Sequence, residues 1–114
     1  MIIPLTDETF EESISFFKPP TIVSVHAHWC APCKNFTPIF DQAAVDFDHT
    51  THDLVFATLN IDDGLTTALK YNINVVPTIL IFNQGELVQK IEGAVQKERL
   101  YEILERYRRT NVLA

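Results

Sequence analysis

Thr21-Ile22-Val23-Ser24-Val25-His26-Ala27-His28-Trp29-Cys30-Ala31-Pro32-Cys33 leads an apolar run directly into both cysteines of the chain. From Thr21 to Ala27 the residues are β-branched or apolar on both alternating faces except at Ser24 and His26, the pattern of a strand covered on either side by other layers. Beyond Cys33 the period changes. Phe36, Phe40, Ala43, Ala44 and Phe47 fall on one helical face, with Pro38 inside the run and a kink expected there. The two cysteines therefore lie at the carboxyl end of a buried strand and the amino end of a helix, where open α/β sheets carry their sites.

Two thiols separated by two residues can close into a disulfide and reopen by thiolate exchange, or they can supply half of a tetrahedral zinc site. The unpaired N–H groups of a helix amino end favour a thiolate over a thiol, which makes Cys30 the candidate nucleophile. Cys33, one helical turn in, is then the candidate resolving thiol, and Pro32 suits an early helical position where its missing N–H is no loss. Trp29 can shield the sulfurs and offer a flat apolar contact, or simply pack. The series His26-x-His28-x-Cys30-x-x-Cys33 offers four donors for zinc, but four ligands within eight residues of strand and helix start rarely reach tetrahedral geometry, so no metal is expected. His49 and His52 read as solvated loop residues.

With 114 residues, 46% of them hydrophobic, the chain fits one domain over residues 1–114 with a full core. Nine Lys and Arg against 15 Asp and Glu leave a net charge of -6, and no basic run could neutralise a phosphate backbone. Nucleic acid is not an expected partner. Met1 to Asp7 lacks a charged segment followed by a long apolar one, and no later stretch is long enough to span a bilayer, so neither leader nor membrane contact is expected. A cytoplasmic location follows as an expectation, and there a lone cysteine pair is more often catalytic or metal-binding than a structural staple.

After an extended Ile2-Ile3, Thr6-Asp7-Glu8 offers a helix cap ahead of Phe10, Ile14 and Phe17, and that helix should end before Pro19-Pro20. The polar cluster His49 to Asp53 is expected to break the next helix, and Leu54 to Ile61 reads as a second buried strand. Asp62 or Asp63 can cap a short helix carrying Leu65, Ala68 and Leu69. Thr78 to Phe82 and Leu87 to Ile91 form a hairpin across Asn83-Gln84-Gly85. A last helix shows Leu100, Ile103, Leu104 and Tyr107 on one face, with Arg106, Arg108 and Arg109 expected near its carboxyl end, where they complement the dipole without a catalytic role. The order β-α-β-α-β-α-β-β-α predicts an α/β fold: a central mixed sheet of about five strands flanked by four helices. Strands joined through helices should be parallel and the final hairpin antiparallel.

The residues Trp29-Cys30-x-Pro32-Cys33-Lys34, then Pro38, the run Val75-Val76-Pro77-Thr78 and finally Gly85 and Gly93 resemble the thioredoxin family from end to end. The resemblance implies the thioredoxin fold and a protein disulfide reductase acting through a reversible Cys30–Cys33 disulfide. It implies no bound cofactor, with electrons supplied from NADPH by a flavin-dependent thioredoxin reductase, and disulfide-containing proteins as substrates. A monomer is expected. It further implies a cis bond before Pro77, which would lie against the disulfide, with Val76 hydrogen-bonding the substrate backbone and Gly93 beside the site. The substrate groove would comprise Trp29, Ala31, Pro32, Val76, Pro77 and Ala94.

Several positions depart from the family pattern. Ala31 stands where most members carry glycine, and an altered redox poise is expected. Ser24 stands in place of a buried Asp beneath the resolving cysteine, and Thr58 in place of that acid's lysine partner. Two hydroxyls thus replace a buried charged pair. Serine is a poor general base, so water or a nearby histidine is expected to take the Cys33 proton. His26 occupies a place usually aromatic. His28, if protonated near Cys30, would lower the thiol pKa; otherwise it is merely solvated. Glu92 replaces an apolar residue and would favour basic target segments if it flanks the groove. Two other readings share this fold: a binding or chaperone module with incidental redox activity, and a protein disulfide oxidant or isomerase.

Overall fold

Five strands pair into one sheet, and alternation along the inner ones sorts the core into two layers. The computed structural model describes residues 1–50 and 53–113, with side chains at 1–48 and 53–108. The chain runs β1 (Ile2–Leu5), α1 (Phe10–Phe16), β2 (Thr21–His26), α2 (Ala31–Thr50), β3 (Val55–Asn60), a 3-10 turn (Ile61–Asp63), α3 (Leu65–Lys70), β4 (Thr78–Asn83), β5 (Glu86–Glu92) and α4 (Lys97–Leu113). The strand order is β1-β3-β2-β4-β5, a mixed sheet with four α-helices about it, which is the thioredoxin fold. Among the described residues no helix is long and apolar enough to cross a membrane.

On one face Ile22, Phe56, Ile79 and Ile81 meet Phe36, Phe40 and Phe47 of α2 and Leu100, Ile103 and Leu104 of α4. On the other Val23, Val25, Ala57, Leu59, Leu80 and Phe82 meet Phe10 and Ile14 of α1 and Ala68 of α3. Side chains of a strand alternate between faces, so one six-residue strand serves both layers. Tyr101 of α4 donates its hydroxyl to Asp46 of α2 at 2.5 Å. Burial first, and then that carboxylate, push the phenol pKa up to about 12, so the group remains a donor at any ordinary pH.

Strands β1 and β2 both lie parallel to β3, as expected, but β4 runs antiparallel to β2 even though α3 joins it to β3. The rule linking helical connections to parallel strands fails here because the connection through α3 brings the chain back to the sheet at the end where β3 finished, so that β4 starts beside it. The β4–β5 hairpin turns through Gln84 and Gly85, with φ values of 56° and 82°. A two-residue turn with both angles positive matches the right-handed twist of the strands, which suits glycine at the second place.

Helix ends also depart from the expected ones. α1 begins at Phe10 after Thr9, and Asp7 does not cap it. The Asp7 carboxylate instead accepts the N–H groups of Thr66 (3.1 Å) and Thr67 (2.9 Å) and the Thr67 hydroxyl (2.7 Å), capping α3 in place of Asp62 or Asp63. At the other end of α3, Lys90 donates its ammonium to the carbonyls of Tyr71 (3.3 Å) and Asn72 (2.9 Å). A helix this short is marginal alone, and distant side chains hold both of its ends. α2 continues unbroken through Pro38 and runs to Thr50, two residues into the polar cluster expected to stop it. His49 is thus helical rather than in a loop, and His52 lies outside the described residues. α4 extends to Leu113, so no basic residue falls in its last turn; Arg108 pairs with Glu105 one turn back, and the side chain at 109 is outside the described set.

The Asp7 contacts carry a pH signature. Its pKa is lowered by the Thr67 N–H first, then by the Thr67 hydroxyl, against a smaller opposing effect of burial. A depressed carboxyl contributes stability that is complete above its unfolded value and disappears as pH falls through the folded one. An Asp7→Asn protein should show a lower urea midpoint than the parent at pH 7, with the gap closing as acid protonates the Asp7 carboxyl. A pH-independent gap would show that charge is not what the cap requires.

Candidate active site

Cys30 is the residue immediately before α2. Its carbonyl accepts the Lys34 N–H at 3.3 Å, which opens the helix, and its Sγ accepts the Cys33 N–H at 3.1 Å. The sulfur holds the place that a serine or aspartate oxygen takes at most helix starts. Any negative charge on it faces the positive end of a twenty-residue helix. Cys30 and Cys33 are joined as a disulfide with Cα atoms 5.3 Å apart. Both are buried, with Ala27 beside them and Ile61 and Val76 packed against the cluster. Trp29, Ala31 and Pro32 are exposed around the pair, and Trp29 is 69% accessible, so it presents its ring outward instead of filling the core.

Opposite the sulfurs stands the turn into β4. The Val76–Pro77 bond is cis, as the family resemblance implied, and Pro77 is buried. The Val76 carbonyl oxygen lies 3.5 Å from Cys30 Sγ, within reach to accept a hydrogen bond from the Cys30 thiol when the disulfide opens. Two hydrogen bonds fix this turn. Thr78 donates its hydroxyl to the Val75 carbonyl at 2.5 Å, and the Gly93 N–H donates to the Pro77 carbonyl at 2.8 Å. Gly93 has φ +89°, a left-handed conformation that disfavours any side chain although the space around it is open. Ala94 and Glu92 are exposed on either side of it.

Ser24 and Thr58 are direct partners in the β2–β3 register, and by alternation from Ile22 and Phe56 both point to the face covered by α2. Ser24 is buried and Thr58 half-buried. The two hydroxyl residues thus share one spot in the sheet, and neither brings charge to it. His26, half-buried, is the last residue of β2; His28 lies beyond the strand and is exposed, yet the two rings meet edge to face at 6.3 Å. Among the described residues no three His, Cys, Asp or Glu side chains converge as metal ligands.

Two residues of this site carried no signal that reading the sequence could isolate. Ile61 looks like the last member of a strand run, but the 3-10 turn swings it against the cysteine cluster. Thr78 looks like an ordinary strand residue, and its part in bracing the turn shows only as its bond to Val75.

The chain was also compared with known proteins. The family model described as Thioredoxin matches residues 1–106. A thioredoxin of Staphylococcus saprophyticus is 33% identical over 106 residues, covering 93% of this chain and 97% of that protein. Thioredoxins of Buchnera aphidicola from Acyrthosiphon pisum and from Baizongia pistaciae are 36% and 37% identical, covering 91% and 93% of this chain and 94% of each relative. A cysteine pair at a strand-to-helix junction, a cis-proline turn facing it and likeness along nearly the full length all agree: the chain belongs to the thioredoxin family, and it is a disulfide reductase working by thiol–disulfide exchange.

Proposed function

We propose that Cys30 attacks and Cys33 resolves, in a cytoplasmic cycle recharged by a flavin-dependent thioredoxin reductase drawing on NADPH. The single observation behind the assignment is the placement of Cys30 Sγ at the start of α2 with the Cys33 N–H aimed at it. The Cys30 thiolate attacks one sulfur of a substrate disulfide, joining to it and releasing the other substrate sulfur as a thiolate. Cys33 then loses its proton and attacks Cys30 Sγ, which frees the second substrate thiol and closes the Cys30–Cys33 bond. The substrate gains two electrons and, from solvent, two protons. Val76, Pro77, Gly93 and Ala94 with Trp29, Ala31 and Pro32 supply the rim on which the substrate chain lies. Ser24, Thr58, His26 and His28 are the candidates for setting the thiol pKa values.

Equilibration with glutathione or dithiothreitol buffers tests the direction of exchange. A potential below about −230 mV is expected of a cytoplasmic reductant. A value near −120 mV would reassign the protein as an oxidant.

By the family resemblance Ser24 stands in place of the acid that would accept the Cys33 proton, and a hydroxyl accepts poorly at neutral pH. A Ser24→Asp protein should resolve its mixed disulfide faster in single-turnover stopped flow, by roughly 100-fold. Unchanged resolution would mean that the proton leaves by another route.

A further inference from the structure

β2 and α2 share one core layer and run through it in opposite directions. Phe40 and Phe47 of α2 pack on Phe56, whose partner in the β2–β3 register is Ile22, near the start of β2. The first turn of α2 therefore lies toward the end of β2. Cys33 is the first buried residue of that helix, and Phe36 and Phe40 follow it on the same side. Along β2, Ile22 faces this layer, so alternation turns Ser24 and His26 to it as well. His26 is thus the last inward residue of the strand, and Cys33 the first inward residue of the helix that folds back on it. Ser24 stands one pleat deeper, by about 7 Å.

We propose that His26 is the proton acceptor for Cys33 when the mixed disulfide resolves. The inference rests on the reading in which Cys33 is the resolving thiol. The other polar side chains that β2 and β3 turn toward this end of the layer are Ser24, Thr58 and Asn60, and hydroxyls and amides are poor bases at neutral pH. The Asn60 amide oxygen is moreover taken by the Asp62 N–H at 3.0 Å. Imidazole is the side chain suited to accept a proton in that range. His26 is half-buried, and its ring meets the exposed ring of His28 edge to face at 6.3 Å, so a proton received inside has an outlet to water.

The titratable and charged groups set about His26 by register and chain position are Cys33 and the exposed Lys34 of α2, His28 on its own segment and the exposed Asp62 beyond Asn60. The turn into β4 brings Val76 and Pro77, which do not titrate. α4 turns Leu100, Ile103 and Leu104 to the layer, with Tyr101 and Tyr107 at its margin, their hydroxyls bonded to Asp46 and Gln89. In the step itself a ring nitrogen of neutral His26 takes the Cys33 proton, directly or through one water. The Cys33 thiolate attacks Cys30 Sγ. The Cys30–Cys33 bond forms as the bond from Cys30 to the substrate breaks, and that electron pair leaves on the substrate sulfur. The imidazolium then gives its proton to solvent or to the departing thiolate.

Single-turnover stopped flow with a bis-nitrobenzoate disulfide separates the steps, because its thiolate is coloured. Attack by Cys30 releases the first thiolate and resolution by Cys33 the second. In a His26→Phe protein, where a ring still fills the half-buried place, the second phase should slow about tenfold relative to the first at pH 7. In the parent the second phase should rise with pH, level once His26 is neutral and rise again as Cys33 ionises unaided; the shoulder should vanish in the variant. In a Ser24→Asp background the same change should cost less than about twofold, because the carboxylate takes over the proton. A ring that merely props the site would slow both backgrounds alike, and that result would overturn the inference. So would a shoulder that survives in His26→Phe. If circular dichroism shows His26→Phe to be unfolded, His26→Gln carries the same expectations. A parent that releases only one thiolate would count against Cys33 as the resolving thiol, which separates the two failures.

Discussion

A Cys33→Ser protein is expected to stop turning over and to remain covalently joined to its substrate. Serine preserves the size and helical position of residue 33 and keeps the backbone N–H that faces Cys30 Sγ at 3.1 Å. The first attack therefore survives. The second cannot occur, because an alkoxide is not accessible near neutral pH and a hydroxyl does not displace a thiolate from sulfur. Turnover should fall at least about a thousandfold, as when a catalytic nucleophile is removed. Mass spectrometry under non-reducing conditions should find an adduct equal to the sum of the two chains, which dithiothreitol splits. A Cys30→Ser protein should lose turnover equally and form no adduct. An adduct through Cys33 in the Cys30→Ser protein, with none in Cys33→Ser, would invert the assignment of roles.

The second large effect is on stability. Phe56 is 2% exposed, on the face of β3 toward α2. Its ring meets Phe40 edge to face at 5.7 Å and Phe47 at a tilt at 6.5 Å. Phe56→Ala removes the transfer free energy of the ring and leaves a cavity between α2 and the sheet, at a cost of about 3–5 kcal/mol. A domain of this size is stable by about 5–15 kcal/mol, so the urea midpoint should fall by about a fifth or more with its slope unchanged. Val45→Ala, on the exposed side of the same helix, should change stability by less than about 1 kcal/mol. A Phe56→Ala loss as small as that of Val45→Ala would mean that the layer collapses onto the gap.

The order of elements, the buried character of β2 and the position of the cysteine pair follow from local pattern alone. Period-two and period-3.6 alternation need only neighbours along the chain, and Thr21 to Cys33 contains both a strand and the helix start that polarises Cys30. The pairing of Ser24 with Thr58 was legible only as two separate departures from a family pattern; the β2–β3 register makes them one spot. What local pattern misjudged shares one cause. Asp7 reads as a cap for the helix that follows it, yet its carboxylate caps a helix some sixty residues away. Leu65, Ala68 and Leu69 read alike as the apolar residues of a short helix, yet only Ala68 is buried, with Thr67, while α3 turns both leucines outward.

The amino-acid order was thus sufficient for the reaction: two thiols at a helix amino end, spaced to close on each other. What surrounds the two sulfurs was settled by tertiary structure. Ile61, Val76, Thr78 and Gly93 come from three separate segments: the first two pack against the cysteines and the last two brace the Val76–Pro77 turn once β4 lies antiparallel beside β2. The side chains that hold α3 in place on the way into β4 come from β5 and from the segment after β1. Long-range contacts of this kind leave no periodic trace in sequence, because each partner satisfies its own local pattern equally well without the other.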